Sequence, residues 1–152
     1  VHFKIPDEVS THPNPLQSPE ECEMYGFNVR LSTRFDEAIA RVTLALKDNG
    51  FGVLSDIDVQ ATLQAKLGVE RKPYRILGAC NPHFARQAID LDPEVGLLLP
   101  CNVVVREEDD GTILVSFMDP VTVLGLIDHA GVTPLATEVR SLLEQVRDSL
   151  VD

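Results

Sequence analysis

From Tyr25 onward the apolar residues change period repeatedly, from every second residue to every third or fourth, with Gly, Pro or Asn marking each change. Alternation sends side chains to opposite faces of a strand, and a 3.6-residue period lines one face of a helix. The pattern therefore restricts the chain to a mixed α and β fold. Phe27, Val29 and Leu31 alternate with Asn28 and Arg30 as in a half-buried strand. Phe35, Ile39, Val42 and Leu46 recur at helical spacing, with Thr33 expected as N-cap, Asp36 three residues later and Asn49-Gly50 as the stop. Residues 51–57 read as a second strand, Asp58 as the cap of a short helix over 59–67 ended by Gly68, and 74–78 as a third strand. Asn81-Pro82 supplies an N-cap and a first helical residue for a helix to about residue 90.

Residues 95–99 form an apolar run, which Pro100 separates from a strand over 101–106. Asp109-Asp110-Gly111 turns that strand back into 112–117. Residues 121–127 fit a short helix or a strand. Thr133-Pro134 opens the last helix, where Leu135, Val139, Leu142, Val146 and Leu150 make an apolar stripe. On this reading Leu142→Asp unfolds the domain.

A length of 152 residues, 44% of them hydrophobic, suits one domain with its own core. Residues 1–23 stand apart: Pro6, Pro13, Pro15 and Pro19 predict an extended N-terminal arm, leaving 24–152 as the domain. The early strand–helix alternation taken alone suggests a parallel sheet. The late hairpin and the short second helix fit an α+β sheet with helices on one side equally well.

With 13 basic and 24 acidic residues the formal net charge is −11, which disfavours phosphate backbones and hence nucleic acid. No apolar run approaches the roughly 20 residues of a membrane span. Three cysteines are too few for a disulfide scaffold and suit a reducing, cytoplasmic setting. The start at Val1 leaves export with a removed signal peptide open as an alternative.

Two segments carry the residues of greatest chemical interest: Leu77-Gly78-Ala79-Cys80-Asn81-Pro82 and Leu98-Leu99-Pro100-Cys101-Asn102-Val103. Each sets a Cys-Asn pair at the edge of a regular element. Cys80 falls just before a helix start, where free N–H groups favour a thiolate. Together with Gly50-Phe51-Gly52-Val53-Leu54, Asp56-Ile57-Asp58 and the flanking 73–76 and 96–105, these segments resemble the domain of unknown function 302 family over residues 25–118. The resemblance implies a small α+β domain with an antiparallel sheet flanked by helices, and a homodimer. It implies no reaction.

Four readings of the cysteines compete. They are buried structural residues; or Cys80 is an activated thiol, with Cys101 resolving it in redox or sulfur-handling chemistry; or Cys80, Cys101 and His83 hold a soft metal or haem; or a small-ligand pocket is bordered by Cys80, Asn81, Cys101 and Asn102. No C-x-x-C or C-x-x-C-H motif supports the redox or haem readings. His2, His12, His83 and His129 show no metal spacing, so no metal site is assigned. Asp56 and Asp58 read as a strand end and a helix cap rather than a carboxylate pair. Gly50-Phe51-Gly52 lacks the continuation of a phosphate loop.

The expectation from sequence is thus a homodimeric small-ligand or protein-partner binding module, with both Cys-Asn pairs at one polar corner. Leu97, Leu98, Leu99, Val103, Val104 and Val105, apolar on both faces of an extended reading, add to the dimer expectation.

Overall fold

Strands β1 (Gly26–Leu31), β2 (Gly52–Asp58), β3 (Tyr74–Cys80), β4 (Cys101–Glu107) and β5 (Ile113–Met118) pair into one sheet in the order β1-β5-β4-β3-β2. Every pairing is antiparallel, so the sheet is not the parallel one that the early alternation alone suggests. The computed structural model describes residues 25–151; the arm expected over residues 1–23, with His2, His12 and Cys22, lies outside them. Among the described residues no helix is long and apolar enough to cross a membrane.

The register puts alternate apolar residues of β1, β5, β4 and β3 on one face. Phe27, Val29 and Leu31 stand opposite Phe117, Val115 and Ile113, which flank Val103 and Val105, and Val103 in turn stands opposite Leu77. Helices α1 (Phe35–Asp48) and α5 (Val132–Ser149) close this face. Ala38, Val42, Ala45 and Leu46 of α1 pack there with Val139, Leu143 and Val146 of α5. The next residue along each strand points to the other face, where Asn102 is exposed and Val104 and Arg106 are half-buried.

A second, smaller core lies beyond the strand ends. It joins Ala88 of α3 (Pro82–Leu91), Val95 of a 3-10 turn over Pro93–Leu98, Leu124 of α4 (Pro120–Leu124), and Val132, Leu135 and Ala136 of α5. The buried Asp119 caps α4, accepting the Val121 N–H at 2.9 Å, and pairs with Arg140 of α5 at 3.2 Å.

Three local expectations are corrected. Arg34, not Thr33, occupies the N-cap position of α1, and no side-chain hydrogen bond caps that end. Residues 95–98 of the apolar run are not extended: Asp92 and Pro93 start a 3-10 turn, which buries Val95 and leaves Leu97 81% exposed. The two-faced apolar strand argument therefore does not apply to Leu97 and Leu98. In α5 the buried stripe runs through Leu143, while Leu142 sits half-buried at its margin; spacings of three and four both fit a helical stripe, and the packing of α5 on α1 and the sheet selects the latter here.

Leu143 is 1% exposed and belongs to the main core. Leu143→Ala is expected to cost about 2–5 kcal/mol in urea unfolding, and Leu142→Ala about 1 kcal/mol. Equal losses would mean that α5 presents a different face to the sheet.

Candidate functional site

The site is built where β3 runs into α3 and β4 begins. Cys80 is the last residue of β3, and Asn81 leaves the strand to become the N-cap of α3. The backbone N–H groups of His83 and Phe84 donate to Asn81 Oδ1 at 3.1 and 3.4 Å. Pro82 takes the first helical position, where a missing N–H costs nothing. The amide end of Asn81 faces the turn after α1: a Cβ on Gly50 would come within 3.1 Å of Asn81 Nδ2, and Gly50 has φ +86°. A side chain at position 50 would thus be strained and would crowd the cap.

β4 meets this corner through its pairing with β3, in which Ala79 stands opposite Cys101 and Gly78 opposite Asn102. A Cβ on Gly78 would come within 2.8 Å of the Pro100 ring and collide with the Ser55 hydroxyl, so glycine is what admits both neighbours. Between the two cores lies a cavity of about 30 Å³. Its walls come from both: Phe51, Ala79, Cys101 and Val139 from the main core, Ala88, Leu124 and Leu135 from the smaller one. Cys80, Asn81, Phe84 and Pro100 complete the lining.

Of the four residues singled out in the sequence, three line this cavity: Cys80, Asn81 and Cys101. Asn102 does not. It follows Cys101 in a regular strand and so points to the opposite face, where it borders a separate groove with Tyr74, Val104 and Arg106. The two Cys-Asn pairs are therefore not equivalent, because Asn81 has left its strand and Asn102 has not. His83 is exposed on α3 and is not a wall of the cavity. The lining from Phe84, Ala88, Leu135 and Val139 escaped sequence reasoning; its only signal was four-residue spacing, which any core helix shows.

Both thiols are free. Burial pushes Cys101 up to about 12, with the neighbouring Cys80 adding to the shift. Burial also raises Cys80. A thiolate favoured by the start of α3 is thus outweighed by loss of water, and the direction is opposite to that of an activated thiol. Among the described residues no three His, Cys, Asp or Glu side chains come together as metal ligands would, and about 30 Å³ is far too small for a porphyrin. Asp56 and Asp58 have separate duties. Arg75 hydrogen-bonds the Asp56 carboxylate and lowers its pKa, while Asp58 accepts the Ala61 N–H at 2.9 Å to cap α2 (Val59–Leu67).

The fold and site define a small antiparallel α+β domain with two protonated thiols in an apolar seam. The chain belongs to the family described as domain of unknown function DUF302, whose model matches residues 27–150. The match runs through α5, further than the 25–118 over which the sequence motifs carry the resemblance. The chain is also similar to the crystal structure of an uncharacterised conserved DUF302 protein from Bacillus stearothermophilus, with 32% identity and a TM-score of 0.78. That likeness covers 84% of this chain and 99% of the other. No curated protein matches the chain.

Two measurements check the site. Asn81→Ala is expected to cost about 1 kcal/mol by loss of the cap, and Asn81→Asp, which keeps an acceptor, much less. Cys101 ionises more easily unfolded, near 9, than folded, near 12. Above pH 9 the unfolded chain therefore binds fewer protons than the folded one, and stability falls as pH rises towards 12. The contribution present below pH 9 and lost over that window is on the order of a few kcal/mol. Urea titrations at pH 8 to 11 should show a shallower decline for Cys101→Ala than for the parent protein; parallel declines would mean that Cys101 is solvated.

Proposed function

We propose that this protein is a homodimeric binding module that takes a small apolar group, from a ligand or a partner side chain, into the seam between its two cores. The observation that carries this reading is the pairing of cavity size with wall chemistry. A volume of about 30 Å³ has room for about two waters, yet a buried water needs two to four polar partners. Asn81 spends its oxygen on the α3 cap, and protonated thiols are weak donors and acceptors. The remaining walls are hydrocarbon. Such a space favours a methyl-sized apolar group over water, and the thiols act as soft, polarisable wall atoms.

Thiol redox or sulfur handling through Cys80 is the less supported reading, because burial raises both thiols. A two-sulfur soft-metal site lacks a third donor from the described residues. In the binding reading Asn102 belongs to another surface and is not part of the pocket.

Xenon under pressure is the probe for the cavity. It is expected to shift the NMR signals of Ala79, Ala88, Leu124, Leu135 and Val139 in the parent protein. Ala85→Leu, which grows into the cavity from α3, should abolish those shifts while leaving the chain folded. Absence of shifts in the parent, or identical shifts in Ala85→Leu, overturns the proposal.

A further inference from the structure

β2 is the outermost strand at one end of the sheet, and among the described residues nothing pairs with its free edge. An unpaired edge presents a row of N–H and C=O groups to any extended chain that meets it. β2 blunts that edge only with one bulge and two aspartates, Asp56 being held by Arg75, and carries no lysine or proline. All of its residues are exposed except the half-buried Val53, with Leu54 at 73% and Ile57 at 50%. The bulge falls between Val53 and Ser55, so Ser55–Asp58 remain regular.

The helix that follows shares this character. α2 lies against β3 but buries none of its nine residues. A helix needs about 12–15 residues to be even marginal alone in water, and most gain their stability from a packed face. Leu67 at 70% and Val69 at 45% exposure project from its end. Four large apolar side chains thus emerge from one stretch of chain, residues 52–72.

The charge of this stretch favours one occupant. Asp56, Asp58 and Glu70 are balanced by Lys66, Arg71 and Lys72, so residues 52–72 are neutral in a chain of net charge −11. Two copies of so acidic a chain repel across most of their surface. A neutral patch carrying both signs is one through which they can meet. A two-fold axis also makes β2 and its copy antiparallel, the geometry of every pairing already in the sheet. We infer that the free edge of β2, with the exposed end of α2, is the surface on which a second copy of this chain docks. The inference rests on the homodimer reading above and names its interface.

The test is sedimentation of the full chain at micromolar concentration, beside Leu54→Lys/Leu67→Glu. Both side chains are mostly exposed, so the variant's monomer should stay folded, melting lower only by the share of stability that dimerisation adds. The expected result is a parent dimer, with the concentration for half-dimer raised on the order of a hundredfold in the variant. A parent dimer that the variant leaves intact overturns this surface while the homodimer reading stands. A monomeric parent overturns both. Hydrogen exchange on the parent alone provides a check if the variant misfolds. Amides of residues 55–58 should exchange more slowly as protein concentration rises, and concentration-independent exchange there overturns the inference.

Discussion

Ala79 stands opposite Cys101 because β3 and β4 pair antiparallel with Leu77 against Val103, and most of the molecule depends on that register. A slip of one residue would turn Val103 and Val105, both fully buried, to the other face and bring Asn102 and Val104 into the core. The same register sets Gly78 under the Pro100 ring, and so determines where the chain leaving the 3-10 turn can enter the sheet. On the β3 side, the strand ends at Cys80, and Asn81 starts α3 at once. One strand pairing thus brings together a helix start, a strand start and two thiols.

The seam between the two cores follows from this arrangement. α1 and the central part of α5 cover the sheet, whereas α3, α4 and the beginning of α5 must pack on one another beyond the strand ends. α5 is long enough to serve both cores, with Leu135 in the smaller one and Leu143 in the larger. Packing two cores against a shared helix leaves a small gap where their side chains meet, lined by Cys80 and Cys101. Such voids are few in close-packed interiors. Burial raises both thiols above the usual cysteine range, the opposite of the shift that activates a thiolate.

Membership of the DUF302 family accounts for the shared architecture of this chain and the Bacillus stearothermophilus protein. The cavity and the free β2 edge are separate features on opposite terms with solvent. One is a small apolar cavity partly open at its rim, the other an apolar edge exposed to solvent. A binding module needs the first, and an assembling one needs the second.

Local chemistry was readable from the sequence where it acts within a few residues. Asn81-Pro82 as cap and first helical residue, Asp58 and Gly68 bounding α2, and Gly50 ending α1 all rest on backbone geometry that neighbouring residues dictate. The α+β class followed from the switching period of the apolar residues. Its limits appeared where several local forms satisfy the same pattern. Residues 95–98 became part of a 3-10 turn, and Leu143 rather than Leu142 took the buried position in α5. That Asn102 faces away from Cys101 follows from alternation along the strand; only the tertiary structure brought Cys80 and Asn81 to Cys101, since strand register is set by partners about 20 residues away. The raised thiols, too, come from walls supplied by distant elements: burial depends on what packs against a side chain, and no local spacing encodes that.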